Sequence, residues 1–131
     1  MDMAILLVDD EPTILDSLRT QLRNLYGERF DYETAESVDD AWEVLEELLA
    51  DDCQVVVVVS DWLMPGRRGD EFLSEVRSHF PQIGRVMLTG HVEREALDRA
   101  RSEGDHYPVL YKPWDIQALK TAIDQAAQDS D

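Results

Sequence analysis

Cysteine and long apolar runs are scarce in this 131-residue chain, and each scarcity excludes a class of protein. The single cysteine, Cys53, rules out a framework of internal disulfide bonds and indicates a reducing compartment. The apolar runs, such as residues 55–59, are far shorter than the roughly 20 residues that a membrane helix needs. The first three residues also lack the basic charge of a signal peptide. We therefore expect a cytoplasmic chain that makes no membrane contact.

Basic residues are scarce as well. The chain has 12 Lys and Arg residues against 29 Asp and Glu residues, which gives a formal net charge of -17. A surface of this charge repels phosphate backbones and anionic lipid. The composition therefore argues against direct binding of nucleic acid.

Short apolar runs alternate with helical patterns along the whole chain. The runs predict five strands, at residues 4–8, 30–35, 55–59, 85–88 and 106–111. Apolar residues at three- and four-residue spacing predict a helix after each strand, the fourth of them at residues 92–100. The β-branched run at 55–59 has no polar break, which is typical of a strand covered on both faces.

Five strand–helix units in one sheet require right-handed crossovers and helices on both faces. The sequence therefore predicts one domain over residues 1–131, with a core at about 4–127 and a polar tail at 128–131. We expect an α/β fold with a doubly wound five-stranded parallel sheet of order 2-1-3-4-5, a flavodoxin-like (βα)5 arrangement. Ligands of such sheets bind at the carboxyl ends of the strands.

Three acids follow strands that are neighbours in this order. Asp9 and Asp10 follow the first strand, and Asp61 follows the third. Carboxylates brought this close repel one another, so either one takes up a proton or a cation neutralises them. An acidic, partly hydrated site made only of oxygen ligands suits Mg²⁺. The alternative is that the residues after the first strand only cap the first helix near its positive end.

Two further polar residues stand at strand ends. Thr89 ends the fourth strand and is followed by Gly90, while Lys112 ends the fifth strand and is followed by Pro113. Only two lysines exist in the chain, and Lys112 is the one at a strand end. An acid pair, an acid, a hydroxyl and an ammonium therefore mark four strand ends.

Four short segments at these strand ends resemble a known family. They read LVDDEP at 7–12, SDWLMPG at 60–66 with Gly69 three residues on, LTG at 88–90 and YKPW at 111–114. Together, and in this order, they resemble the receiver domain of two-component response regulators over residues 4–127. The resemblance implies a switch in signal transduction that catalyses only its own phosphorylation and dephosphorylation.

The resemblance also implies a metal site and a phosphoacceptor. It makes Asp61 the nucleophile that takes a phosphoryl group from phosphohistidine. It makes Asp10 a direct Mg²⁺ ligand together with Asp61, with Asp9 acting through water. The backbone carbonyl of Leu63 would be a further ligand.

Phosphoryl binding and the partners follow from the same resemblance. Lys112 would pair with the phosphoryl oxygens, and Thr89 would hydrogen-bond the phosphoryl group and sense it. The donor would be a sensor histidine kinase or a phosphotransfer protein. The surface built from the fourth helix, the fifth strand and the fifth helix would contact a downstream output domain or protein, and it can also serve a homodimer.

Two positions depart from the family's usual pattern. Many receivers have Tyr or Phe three residues before the lysine, where this chain has Val109, so the sequence does not define how switching is coupled. Leu63 stands two residues after the phosphoacceptor, where the family tunes hydrolysis. We hypothesise that its apolar side chain hinders the attacking water and prolongs the phosphorylated state.

Three other functions are alternatives to a phosphoryl-accepting receiver. A scaffold receiver would have the same fold and never become phosphorylated. A Mg²⁺-dependent aspartyl phosphohydrolase would carry a second acid two residues after its nucleophile, where Leu63 stands here. A flavodoxin-like mononucleotide binder would need a loop rich in Ser, Thr or Gly after its first strand, where the sequence reads DDEP.

Overall fold

The structure, a computed structural model, describes residues 2–90 and 105–129. Its main strands are β1 (Met3–Val8), β2 (Asp31–Ala35), β3 (Gln54–Asp61), β4 (Gly84–Gly90) and β5 (Val109–Lys112). Its helices are α1 (Pro12–Tyr26), α2 (Val38–Ala50), α3 (Gly69–His79) and a C-terminal helix (Ile116–Asp129), with a short 3₁₀ turn at Gly27–Arg29. No helix in these two ranges is long and apolar enough to cross a membrane.

The five main strands form one parallel sheet. Their order is β2-β1-β3-β4-β5, and every neighbouring pair is parallel. The predicted order 2-1-3-4-5 and the doubly wound α/β class are therefore confirmed. Because all five strands are parallel, the chain returns to the same end of the sheet before each strand. The carboxyl ends of β1, β3, β4 and β5 therefore lie together at the opposite end.

The sheet separates two apolar cores. Alternate residues of β1 face opposite sides, so that Leu6 packs toward α2 and α3, whereas Ile5 packs toward α1 and the C-terminal helix. Val57, Val58 and Val59 of β3 are completely buried, as the unbroken β-branched run predicted. Covering both faces leaves the strand ends as the places where polar side chains can gather.

Local signals set the helix boundaries. Pro12 stands at the start of α1, where its missing N–H costs nothing, and α1 ends at Gly27, whose N–H donates to the carbonyl of Arg23. Ser37 caps α2 by accepting a hydrogen bond from the backbone N–H of Asp40 at 3.0 Å.

Two features differ from the sequence prediction. The fifth strand begins at Val109 rather than at residue 106, because Pro108 has no N–H and contributes only its carbonyl, which accepts from Met87. The predictions also missed a small antiparallel hairpin, Leu63–Met64 with Arg67–Arg68, which lies between β3 and α3. The helix predicted at 92–100 lies outside the described residues.

A buried ion pair closes the amino end of the sheet. Asp105, 4% exposed, contacts Arg85 at 2.7 Å and Arg77 at 3.4 Å. The Arg85 guanidinium also donates to the Leu73 carbonyl at 3.1 Å and lies over the Tyr107 ring, 5.1 Å from its centre. This cluster connects α3, β4 and the segment that leads into β5.

Candidate functional site

The acids after β1 and β3 converge at the carboxyl end of the sheet. Carboxylate oxygens of Asp9, Asp10 and Asp61 all lie within 4.8 Å of one another. Asp9 is completely buried and Asp61 is 6% exposed, whereas Asp10 is exposed to solvent. The cluster therefore has a closed floor and an open mouth.

Lys112 reaches this cluster from the end of β5. Its Nζ lies 3.1 Å from Oδ1 of Asp61 and 3.2 Å from Oδ2 of Asp9. Because β4 separates β5 from β3 in the sheet, the lysine side chain passes over the end of β4 to make these contacts. One ammonium is thereby shared by two buried carboxylates that come from different strands.

Asp9 has a second task at the start of α1. Its Oδ1 accepts a hydrogen bond from the backbone N–H of Glu11 at 2.8 Å, and its own N–H donates to the Ala35 carbonyl at 3.1 Å. The bond to Oδ1 of Asp9 lies before α1, and the N-cap residue Glu11 makes no side-chain capping bond, so the alternative in which these acids only cap the first helix is not supported. The other oxygen binds Lys112, so capping does not account for the cluster.

The acids outnumber the cation, and their pKa values reflect this imbalance. Burial, together with the charge of Asp9, raises the pKa of Asp61 to about 6 even though Lys112 opposes the shift. Burial also raises the pKa of Asp9. Burial alone would lower the pKa of Lys112, but the charges of Asp61 and Asp9 outweigh it and raise that pKa. The cluster thus carries surplus negative charge.

The donor set fits a hard divalent cation. Three carboxylates offer oxygens at mutual distances that one ion can bridge, and the exposed position of Asp10 allows water to complete the coordination. Such an ion would neutralise the charge that Lys112 leaves unbalanced. These residues therefore suit Mg²⁺ by charge and by ligand type.

Thr89 lies between the strands that carry Asp61 and Lys112. Asp61 is in register with Leu88, and Thr89 is in register with Tyr111, so the threonine stands one residue beyond the acid along the sheet. Thr89 is completely buried. Its strand position places it at the same carboxyl end of the sheet as the acid–lysine cluster.

The loop after β3 is folded tightly against Asp61. The Trp62 N–H donates to Oδ1 of Asp61 and to the Leu88 carbonyl, each at 3.0 Å. The Gly69 N–H donates to the Trp62 carbonyl at 2.7 Å. A Cβ at Gly69 would lie 2.0 Å from the carbonyl oxygen of Asp61, so only glycine fits where α3 begins.

Leu63 opens the hairpin that follows this tight turn. It pairs with Arg68, and its side chain is 48% exposed. The structure thus brings Asp9, Asp10, Asp61 and Lys112 into direct proximity and places Thr89 and Leu63 at the adjoining strand and loop.

Sequence reasoning missed Asp70, a buried acid beside this loop. Its Oδ1 accepts from the Trp62 indole N–H at 3.0 Å and contacts Arg68 at 3.2 Å. The only signal in the sequence was a charged residue on the apolar face of the α3 pattern, between Gly69 and Phe72.

The fold and the site define a doubly wound α/β domain that carries an acid–lysine cluster at its strand carboxyl ends. The family model described as "Response regulator receiver domain" matches residues 5–124, and the chain belongs to this family. Receiver domains are signalling switches of two-component signal transduction, and they bind Mg²⁺ at an acidic cluster of this kind. The resemblance that the four segments indicated is confirmed.

Named relatives agree with this assignment. The hydrogenase transcriptional regulatory protein HoxA of Cupriavidus necator is 34% identical over 124 residues, which are 95% of this chain and 24% of HoxA. The chain thus spans about a quarter of that relative. The chemotaxis protein CheY-3 of Vibrio cholerae is 30% identical over 129 residues, covering 95% of this chain and 91% of CheY-3. A crystal structure of a response regulator receiver domain protein from Clostridium thermocellum has 30% identity and a TM-score of 0.79, covering 98% of this chain and 95% of that one.

Proposed function

We propose that this chain is a phosphoryl-accepting receiver switch in which Asp61 takes a phosphoryl group from the phosphohistidine of a sensor histidine kinase or phosphotransfer protein. The contact of Lys112 with Asp61, at 3.1 Å inside the acidic cluster, carries the proposal. It leaves a nucleophilic carboxylate beside a fixed cation, which is the arrangement that phosphoryl transfer requires.

In the transfer step, a carboxylate oxygen of Asp61 attacks phosphorus while the bond from phosphorus to the histidine nitrogen breaks. The products are an acyl phosphate on Asp61 and a free histidine on the donor. Within residues 2–90 and 105–129, the hydrogen bonds to this carboxylate from Trp62 and Lys112 go to Oδ1. Oδ2 is therefore the oxygen that we assign as nucleophile. With a pKa of about 6, Asp61 is mostly ionised at pH 7.5 and can attack.

The remaining residues bind and sense the phosphoryl group. Mg²⁺ held by Asp10, Asp61 and the Leu63 backbone carbonyl, with Asp9 acting through water, would supply positive charge beside the transferring oxygens. Lys112 pairs with a phosphoryl oxygen, and the hydroxyl of Thr89 donates to another. Removing the negative charge of the Asp61 carboxylate frees Lys112 from that partner, which is how the site would signal to the strand that carries it.

The proposal extends to the whole chain. Residues 1–131 form one receiver domain, and phosphorylation alters the output surface on the side of β5 and the C-terminal helix. The named relatives include a transcriptional regulator and a chemotaxis protein, so the output partner is a separate domain or protein whose chemistry the receiver does not fix. We place this exchange in the cytoplasm.

The test is incubation with acetyl phosphate and Mg²⁺ followed by intact mass measurement. We expect the wild-type protein to gain the mass of one phosphoryl group, in a form that hydroxylamine removes, and Asp61→Ala to gain none. Chelating the metal should stop the gain. Asp51→Ala is the matched control, because Asp51 is an exposed carboxylate beyond the opposite end of β3 and should leave the gain intact. An unmodified wild-type protein would instead indicate a scaffold receiver.

A further inference from the structure

The residue beside the phosphoacceptor is held by an acid that the metal and phosphoryl chemistry does not use. Trp62 is 5% exposed, and its indole N–H donates a hydrogen bond to Asp70. Asp70 is itself only 6% exposed. A buried carboxylate is costly unless it is well paired, so its place in this core needs a reason.

Three favourable interactions stabilise Asp70 at this position. It accepts from the Trp62 indole at 3.0 Å and contacts the Arg68 guanidinium at 3.2 Å. It also lies in the first turn of α3, where the helix dipole favours a negative charge. Trp62 begins the loop after β3 and Arg68 ends it, so one carboxylate ties together the two ends of that loop.

The loop closed in this way bears directly on the site. Its first residue donates a backbone hydrogen bond to the Asp61 carboxylate, and its second residue is Leu63. At its far end the backbone of Gly69 abuts the Asp61 carbonyl, where a Cβ would have only 2.0 Å. Because both ends of the loop are closely packed against Asp61, we expect a shift of the Trp62 side chain to move the peptide groups on both sides of it.

We propose that Asp70 is a positioning residue: through the Trp62 indole it fixes the loop 62–68, and so sets the orientation of the Asp61 carboxylate and of the Leu63 peptide. This inference rests on the proposed function for its chemical readouts. Asp70 touches neither the phosphoryl group nor the metal; it acts through Trp62.

The hairpin supplies a matched control. Arg67 and Arg68 are adjacent, and both form ion pairs with residues of α3. Arg68 pairs with Asp70 and also with Glu71 at 3.1 Å, whereas Arg67 pairs with Glu75. Only the first of these pairs includes the Trp62 indole. Glu75→Gln therefore weakens the attachment of hairpin to helix without touching the contact that the proposal invokes.

The primary measurement is the Mg²⁺ affinity of the 131-residue chain, monitored by amide chemical shifts. We expect Asp70→Ala to weaken binding about 10–100-fold, the usual size for losing a residue that orients a ligand. Asp70→Asn keeps an oxygen that can accept from the indole and should recover most of the affinity. Trp62→Phe removes the donor and should reproduce the loss, while Glu75→Gln should leave the affinity unchanged.

A double variant tests whether the effect passes through the indole. If Asp70 acts through Trp62, combining Trp62→Phe with Asp70→Ala should weaken Mg²⁺ binding no further than Trp62→Phe alone. Fully additive losses would overturn the proposal. So would wild-type affinity in folded Asp70→Ala, or an equal loss in Glu75→Gln, which would indicate general loosening of the hairpin.

Hydrogen exchange separates this inference from the proposed function, because it needs neither metal nor phosphoryl donor. The backbone amides of Trp62 and Gly69 should exchange faster in Asp70→Ala and at the wild-type rate in Glu75→Gln. If the wild-type protein binds no Mg²⁺ and accepts no phosphoryl group, the proposed function fails, and this arm still decides the role of Asp70. Unchanged exchange in Asp70→Ala would overturn it, and faster exchange confined to this loop would support it.

Discussion

At the carboxyl end of the sheet two buried acids share one lysine, whereas at the amino end one buried acid has two arginines. Asp9 and Asp61 both contact Lys112 in the first cluster, and the exposed Asp10 adds further negative charge. In the second cluster Asp105 contacts Arg85 and Arg77. Acids therefore outnumber cations at the carboxyl end of the sheet, and cations outnumber acids at the amino end.

The carboxyl-end cluster has the features of a functional site, whereas the amino-end cluster has those of a structural ion pair. At the amino end the buried acid is paired with two cations of the protein itself, and these contacts join α3, β4 and the segment before β5. At the carboxyl end burial, together with the charge of Asp9, raises the pKa of Asp61 to about 6, so the folded chain carries an electrostatic cost that a cation would relieve. We expect substitutions in the carboxyl-end cluster mainly to change the chemistry of the site, and substitutions in the amino-end cluster mainly to change stability.

The largest effect should come from removing the lysine of the carboxyl-end cluster. Lys112→Met should slow phosphorylation by acetyl phosphate and Mg²⁺ about 10²–10³-fold, because a fixed positive charge beside the transferring group is lost. Initial rates of the mass gain measure this. The control is Lys120→Met, which removes the chain's other lysine from its surface pair with Asp124 and should leave the rate unchanged. A rate in Lys112→Met equal to that of Lys120→Met would contradict the comparison.

The amino-end cluster should respond in the opposite way. Asp105→Ala leaves the nearly buried Arg85 guanidinium without its anion, so we expect a loss of about 3 kcal/mol in the free energy of unfolding. Urea denaturation measures the loss, and the phosphorylation rate per folded molecule should stay at the wild-type value. Replacing both partners, as Arg85→Met with Asp105→Leu, should recover much of the stability. A slower rate in folded Asp105→Ala would show that the two ends are coupled.

A smaller effect should appear when the surplus charge of the site is removed. The pKa of Asp61 is about 6 in the folded chain against 3.8 as its ordinary value, so the folded state binds this proton more tightly than the unfolded state. That contribution is complete below pH 4 and is lost as the pH rises through 6. Without metal, Asp61→Asn should therefore equal the wild type near pH 4 and exceed it by about 1–3 kcal/mol at pH 7.5.

Denaturation curves in chelator across this pH range measure the difference. Adding Mg²⁺ should narrow it by stabilising the wild type, since bound ligand favours the folded state. Parallel stability curves for the two proteins between pH 4 and 7.5 would contradict the idea that the site is electrostatically strained.

The smallest effect concerns the mouth of the site. Leu63 is 48% exposed, and our hypothesis is that its apolar side chain hinders the attack of water on the phosphorylated site. Leu63→Asn should shorten the half-life of the phosphorylated protein several-fold, measured by decay of the mass gain. Ile116→Asn is the control, because Ile116 is similarly exposed at 40% but begins the C-terminal helix. An unchanged or longer half-life in Leu63→Asn would refute the hypothesis.

Much of the fold could be predicted because its signals are local. The alternation of short apolar runs with helical patterns predicted the five strands and the doubly wound order, which the structure confirms. The acids directly after β1 and β3 predicted that polar side chains gather at the carboxyl ends of the strands. The hairpin was missed because strands of two residues, Leu63–Met64 and Arg67–Arg68, leave no periodicity to detect. The start of β5 was misplaced because residues 106 and 107 continue the strand pattern in the sequence, whereas the strand itself begins only after Pro108.

The missed polar contacts have a different cause. Asp105 and Arg85 are far apart in the chain and meet only because β4 and β5 are neighbours, so no spacing rule reveals their pairing. Asp70 lies close in sequence to Trp62, but the pattern does not say which way an indole turns. The predicted roles of the site residues are chemical statements, and they await the experiments on phosphorylation and Mg²⁺ binding.

The path of Lys112 over β4 sets a length requirement on its side chain. Its charge is delivered to acids one and two strands beyond its immediate neighbour, so a cation with a shorter stem would stop above Thr89 without reaching either carboxylate. Arginine is long enough, but its planar head needs more width than a compact ammonium. At this position reach and compactness matter as much as charge, which makes lysine the one common side chain that meets all three demands.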